Sequence, residues 1–135
     1  MTESNLKESF YSDGSIAEQS WRLNGELHRS DGPAYIEYLP DGSIAWQTWW
    51  LNGKRHREDG PASIKYRLDG SIAWQEWWLN GKHHREDGPA RIGYYRDGSI
   101  ECQSWWLNGK NFIATMDQHI LDIAKMVQLN GKNGG

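Results

Sequence analysis

Apolar and polar positions alternate along most of this chain in short runs, which are separated by Asp-Gly and Asn-Gly pairs. Residues 62–68 alternate with period two, and residues 72–79 form a run rich in aromatic side chains. Runs of this kind, bounded by turn pairs, are typical of β-strands. Because a two-residue Asp-Gly loop between two strands favours a tight hairpin, the pattern predicts consecutive antiparallel hairpins.

The hairpin pattern recurs with a period of 28 residues, as three repeated motifs show. Asp-Gly-Ser-Ile begins at Asp13, Asp41, Asp69 and Asp97, Leu-Asn-Gly at Leu23, Leu51, Leu79 and Leu107, and His-Arg-x-Asp-Gly-Pro-Ala at His28, His56 and His84. A fixed period of this length indicates units that stack and share a core. We therefore predict an all-β fold, a single elongated antiparallel meander of hairpin repeats over residues 5–110, within one domain spanning residues 1–135.

The two faces of the predicted sheet differ in how well the repeat conserves them. A two-residue Asp-Gly loop places Ile36 opposite Gln47 and Tyr38 opposite Ala45. The face that these residues share is nearly unchanged between copies, so we expect it to be the core. Its aromatic members are Trp21, Trp49, Trp77, Trp105, Tyr38, Tyr66 and Tyr94.

The opposite face changes from copy to copy, mixes charged with aromatic residues, and is expected to face solvent as an aromatic stripe. Exposed Trp patches are typical of interaction surfaces. The predicted partner- or ligand-binding residues are Tyr35, Trp46, Trp50, Lys65, Trp74, Trp78 and Trp106. A curled sheet or a symmetric dimer would bury the same stripe, and both alternatives stay open.

The end of the chain departs from the period. Thr115 suits a helix N-cap, Met116, Ile120, Ile123 and Val127 follow helical spacing, and Gly131 is a stop signal. We predict one C-terminal capping α-helix over residues 114–129, which covers the last open face of the array, and a flexible tail over residues 130–135.

Composition narrows the class of protein. Fifteen basic and 18 acidic side chains give a net charge of −3, which argues against binding to a nucleic-acid backbone. There is no apolar run of membrane-spanning length and no secretory signal, so we expect no membrane span. The single cysteine, Cys102, is consistent with a reducing compartment, and we expect a cytoplasmic protein.

The His-Arg-x-Asp motif forms a ladder of polar groups along one edge of the array. Arg and His are able to bind phosphate or carboxylate, so the candidate anion contacts are His56, Arg57, His83, His84 and Arg85. The structural alternative is that Asp caps the turn while Arg pairs with an acid or covers a Trp. Successive histidines lie too far apart to share a metal ion, and polar residues belong to the repeat rather than to one catalytic centre. We expect no metal, no cofactor and no enzymatic activity.

Residues 50–62, Trp-Leu-Asn-Gly-Lys-Arg-His-Arg-Glu-Asp-Gly-Pro-Ala, followed by Asp69-Gly70, resemble the MORN repeat, and more closely a variant found in phage and bacterial proteins. The resemblance covers residues 5–110. The period is longer than the MORN unit, and Arg-Glu-Asp-Gly-Pro replaces its Gly-x-Gly step. The resemblance implies hairpin repeats, and it suggests dimerisation, protein scaffolding or lipid contact.

The first hypothesis for function is a non-enzymatic interaction module that engages a protein partner through the Trp face. The alternative is sequestration of a small anionic, nucleotide-like ligand by Trp stacking with Arg and His contacts. A third hypothesis is a purely structural, dimerising scaffold.

Overall fold

The computed structural model describes residues 4–112, and every regular element in this stretch is a β-strand. In chain order the strands are β1 (Asn5–Phe10), β2 (Ile16–Leu23), β3 (Glu26–Leu27), β4 (Tyr35–Tyr38), β5 (Ile44–Thr48), β6 (Trp50–Leu51), β7 (Lys54–Arg55), β8 (Ser63–Tyr66), β9 (Ile72–Glu76), β10 (Trp78–Leu79), β11 (Lys82–His83), β12 (Arg91–Tyr94), β13 (Ile100–Leu107) and β14 (Lys110–Phe112).

The main sheet is an antiparallel meander in the order β1-β2-β4-β5-β8-β9-β12-β13-β14, with β3 paired to β2. Strands β6 and β7, and strands β10 and β11, form two separate two-stranded hairpins. The all-β antiparallel architecture predicted from the alternation is confirmed. The predicted helix over residues 114–129 and tail over residues 130–135 lie outside the described residues.

The two turn pairs have different geometries, and only one of them is the two-residue hairpin loop. Asn52 and Gly53 both have positive φ, 49° and 76°, as a two-residue type I′ turn requires. In the Asp41-Gly42 turn only the glycine has positive φ. There the Leu39 amide donates to the Ser43 carbonyl, and the Gly42 amide donates to the Leu39 carbonyl. The prediction that Asp-Gly forms the two-residue loop is therefore wrong, because the Asp-Gly connection has three residues and ends in a bulge.

The bulge changes the register near the turn and leaves the rest of the hairpin as predicted. Ile36 faces Gln47, as expected, whereas Tyr38 faces Ile44 rather than Ala45. Ala45 is the extra residue. The same shift recurs in the other hairpins of the main sheet.

The repeat-conserved face forms the core. Ala34, Ala62 and Ala90 have no exposed surface, and the isoleucines two residues further on are 7–8 % exposed. The tyrosines of this face cross-link neighbouring hairpins through Gln side chains. The Tyr38 hydroxyl, for example, donates to Gln19 Oε1 over 2.6 Å. This core is a layer on one side of the sheet. The repeat-conserved tryptophans of this face are only half-buried: Trp21, Trp49, Trp77 and Trp105.

Candidate binding surface

The opposite face, here called the variable face, is organised in rows that cross the strands. Antiparallel pairing places one residue of each long strand in the same row, because directly paired residues point to the same side of a sheet. One row consists of Ser9, Glu18, Glu37, Trp46, Lys65, Trp74, Gly93 and Cys102. Along this row the side chains change from acidic to aromatic and basic, and the last two residues, Gly93 and Cys102, are small.

Trp46 and Trp74, in this row, are flanked by partners from neighbouring strands. The Tyr35 ring meets Trp46 edge to face at 5.7 Å between centroids, and the Trp46 indole N–H donates to Ser63 Oγ over 3.0 Å. The Lys65 Nζ atom lies 4.8 Å from the Trp74 ring centroid. The predicted binding residues Tyr35, Trp46, Lys65 and Trp74 are therefore brought together.

The expected solvent-facing stripe is half-buried, since all five of its tryptophans are of intermediate exposure. Small hydroxyl residues lie beneath the rings: Thr48 is 2 % exposed and Ser63 is 1 % exposed. The Trp50 indole N–H donates to Thr48 Oγ1 over 2.7 Å. A single sheet thus gains a thin second layer, because Trp46, Trp50 and Trp106 each donate an indole hydrogen bond to a small hydroxyl residue.

Three of these tryptophans belong to a continuous aromatic–cation stack, formed by Trp50, Arg55, Trp78, His83 and Trp106. Arg55 Cζ lies 5.3 Å from the Trp50 ring centroid and 5.2 Å from that of Trp78. The His83 ring centroid lies 3.7 Å from Trp78 and 4.9 Å from Trp106. Arg55 and His83 each lie in one Asn-Gly hairpin and reach the Trp of the next, so the stack links three successive repeats.

His83 therefore lies apart from the other four candidate anion contacts. It neighbours His84 in sequence, but its Nε2 atom lies 2.7 Å from Glu76 Oε2 within the stack. Burial raises the pKa of the Glu76 carboxyl, while the hydrogen bond and charge of His83 lower it, with smaller contributions from Arg91 and Arg55. The resulting pKa lies below the ordinary value of Glu.

The Glu76–His83 pair predicts an acid-sensitive part of the stability. Because the pKa of Glu76 is depressed in the fold, its stabilising contribution is present above the unfolded-state pKa and is lost as the pH falls through the folded-state pKa. We expect Glu76→Gln to lower the unfolding free energy by about 1 kcal/mol at pH 7 and by less at about pH 3. Urea denaturation at both pH values measures this, with Glu86→Gln, on an exposed acid beside His84, as the control. An equal loss at both pH values would contradict the ionic origin.

The His-Arg loops pack against the core face rather than the variable face. Arg57 Cζ lies 3.9 Å from the Trp49 ring centroid, and its side chain donates to Asp59 Oδ1 and to the Pro61 carbonyl. Arg29 and Arg85 repeat these contacts on Trp21 and Trp77. A Cβ atom added at Gly60 would lie 3.0 Å from Arg57 Cζ, so a larger residue there would displace the guanidinium by a small amount.

The histidines of the loops connect neighbouring repeats. His56 Nδ1 accepts a hydrogen bond from the Asn80 backbone N–H over 3.0 Å, and His84 Nδ1 accepts one from Asn108. The acceptor role requires an unprotonated Nδ1. The His-Arg loops thus carry the structural role that the sequence left open, and their use as anion contacts stays a prediction.

No family model, no curated protein and no solved structure matches this chain. Within residues 4–112 no helix is long and apolar enough to cross a membrane, and no group of three His, Cys, Asp or Glu side chains is placed to hold a metal ion.

The grooves between successive His-Arg loops are acidic rather than basic. Each encloses about 690 Å³. The groove between the second and third loops is lined by four carboxylates, those of Glu58, Asp59, Glu86 and Asp87. Its two guanidinium groups, those of Arg57 and Arg85, are hydrogen-bonded within their own loops. This charge balance favours the variable face over the grooves as a place for an anion.

Sequence reasoning missed Arg55, Glu76 and the two buried hydroxyl residues of the variable face. The usable signal was the same as for the tryptophans, namely departure from the repeat. Arg55 occupies the position of Leu27 and His83 in neighbouring copies, and Glu76 that of Ser20, Thr48 and Ser104.

Proposed function

We propose that this protein is a non-enzymatic interaction module that engages a protein partner through the variable face. The observation that carries the proposal is the aromatic–cation stack, together with Trp46 and Trp74 beside it. Trp and Arg are the residues most enriched at interface hot spots, and here they are held in place by neighbouring strands before any partner binds.

The shape of the face supports a protein partner more than a stacked nucleotide. Arg55 and His83 occupy the spaces between the Trp rings, where a base would otherwise insert. The face is broad and shallow, whereas small-molecule sites are usually concave and enclosed. We also propose kinship with MORN-like arrays, which rests on the repeated hairpin pattern and the motif alone.

The proposal predicts that Trp74 contributes strongly to partner affinity. Its ring makes no hydrogen bond within residues 4–112 and contacts Lys65, so Trp74→Ala removes contact surface without leaving a buried polar partner unpaired. Truncation of a hot-spot Trp weakens binding by about 30-fold or more. Affinity capture from an extract of the source cells, quantified for the wild type and the variant, measures the effect.

Leu68→Ala is the matched control, since this side chain is 83 % exposed and lies at an Asp-Gly turn. Proteins that the wild type and this control retain, and that Trp74→Ala loses, support the proposal. Retention of the same proteins by all three would contradict it. Sedimentation of the chain alone then shows whether a second copy is the partner.

A further inference from the structure

The variable face contains a hollow of about 430 Å³ between the second and third Asn-Gly hairpins. Its aromatic lining is Trp50 and Trp78, and its polar lining consists of Lys54, Arg55, Asn80 and Lys82. The stem of Lys54 lies against Gly81 of the next hairpin, 3.6–3.8 Å from the place a Cβ would occupy. The two hairpins therefore hold the cationic groups around one opening.

The lining of this hollow carries three cations and no acid. Within the part of the chain that the structure describes, Lys54, Arg55 and Lys82 form no salt bridge. The charge of Arg55 acts on Glu76, whose carboxylate is hydrogen-bonded to His83, and the Glu26 carboxylate lies against Gly53 at the edge of the hollow. The lining itself thus has a net positive charge beside aromatic walls.

Two residues that line the hollow also have, among the described residues, a buried hydrogen-bond donor without an acceptor. Within residues 4–112 the buried Nε of Arg55 and the buried Nε1 of Trp78 have no partner. Trp50 and Trp106 donate to the hydroxyl two residues before them, but the residue at that position before Trp78 is Glu76. These two donors are covered by the protein, so the groups that a carboxylate-rich ligand can contact are the exposed ammonium groups of Lys54 and Lys82.

This combination arises at only one junction among the described repeats. At the junction that follows, His83 fills the space between Trp78 and Trp106 at short range. At the junction before, Leu27 and Arg22 take the positions of Arg55 and Trp50, and an acid, Glu26, takes that of Lys54. The hairpins have the same backbone arrangement in each copy. The positive charge and the aromatic walls arise because Trp50, Lys54 and Arg55 replace the Arg22, Glu26 and Leu27 of the preceding copy.

We propose that the hollow binds an acidic segment of a protein, whose carboxylates lie against Lys54 and Lys82, near the charge of Arg55, while its stem atoms contact the Trp rings. The proposal rests on the proposed function and names the chemistry of the partner. A shallow opening of this kind suits side chains presented by a polypeptide rather than an enclosed small molecule. Part of the affinity comes from exposed charges, so binding weakens as salt rises.

Isothermal titration of the full chain with a synthetic oligoglutamate peptide at low salt tests the proposal. We expect the double reversal Lys54→Glu/Lys82→Glu to weaken binding about tenfold or more, because two attractions become repulsions. The matched control is Lys110→Glu, at the same repeat position in the fourth hairpin and outside the hollow, which we expect to change the affinity less than about twofold. An oligoglutamine peptide should not bind.

Two results of the titrations would overturn the proposal. One is equal weakening by Lys110→Glu, which would mean unspecific attraction to the whole chain. The other is binding of a nucleoside triphosphate that depends on Lys54 and Lys82, with no binding of the peptide. The proposed function fails separately, when capture of a natural partner does not depend on Trp74. A partner that Trp74→Ala loses but the double reversal retains would contradict the acidic-segment proposal without contradicting the proposed function.

Discussion

Arg57→Ala should lower the unfolding free energy by about 2–3 kcal/mol, as measured by chemical denaturation at neutral pH. The substitution removes the guanidinium from the Trp49 ring, 3.9 Å away, and removes the hydrogen bond of Nη1 to the Pro61 carbonyl. The side chain is three-quarters buried, so solvent replaces these contacts poorly. A carbonyl without its donor and an uncovered ring both add to the loss.

Two companion variants separate these causes. Asp59→Asn removes the ion pair alone, and because Asp59 is 87 % exposed we expect less than about 0.5 kcal/mol. Arg57→Lys keeps the charge but lacks the planar fork that stacks and donates at once, so we expect it to restore less than half of the loss. If Arg57 served only to contact an anion, Arg57→Ala would leave the unfolding free energy unchanged.

The second large effect is expected at Ile64, in the centre of the core face. This side chain is 8 % exposed and lies on β8 between β5 and β9, so Ile64→Ala leaves a cavity that the flanking strands cannot close. We expect a loss of about 2–4 kcal/mol in thermal or urea denaturation. Leu68→Ala, on a largely exposed side chain of the same hairpin, should cost almost nothing. Equal effects at both positions would mean that the conserved face is not the core.

The parts of the fold that depend on local pattern were predictable from the sequence. Strand alternation, turn pairs and period identified the hairpins and the core face, because each hairpin repeats the same local preferences. The turn at Asp41-Gly42 was not predicted correctly, since Asp-Gly is compatible with two loop lengths. The hydrogen bonds of the Leu39 amide and of the Asp41 carboxylate, which accepts from the Ser43 amide and hydroxyl, select the longer one.

The site was predictable at the level of residue type and much less at the level of contact. The variable tryptophans were identified because they break the repeat. Their partners arise from stacking between hairpins: Arg55 meets Trp78, which is 23 positions away in sequence, and no local pattern encodes that meeting. The same holds for His83, which sequence adjacency grouped with His84 although the two side chains have separate partners.

We propose that two parts of the protein have different roles: the His-Arg loops stabilise the array, and the variable face binds the partner. Arg55 and Arg57 belong to the same repeat, but Arg55 lies in the variable face and Arg57 in a His-Arg loop. The most direct measurement is therefore a comparison of Arg55→Ala with Arg57→Ala, in oligoglutamate affinity and in unfolding free energy, under conditions where circular dichroism shows both variants folded.

We predict that Arg55→Ala weakens the affinity about tenfold and costs less than about 1 kcal/mol in stability, because the Arg55 side chain stacks at more than 5 Å and forms no hydrogen bond within residues 4–112. Arg57→Ala should keep the affinity within about twofold and lose stability. The opposite result, in which Arg57→Ala abolishes binding by a stable protein and Arg55→Ala leaves it intact, would contradict the account.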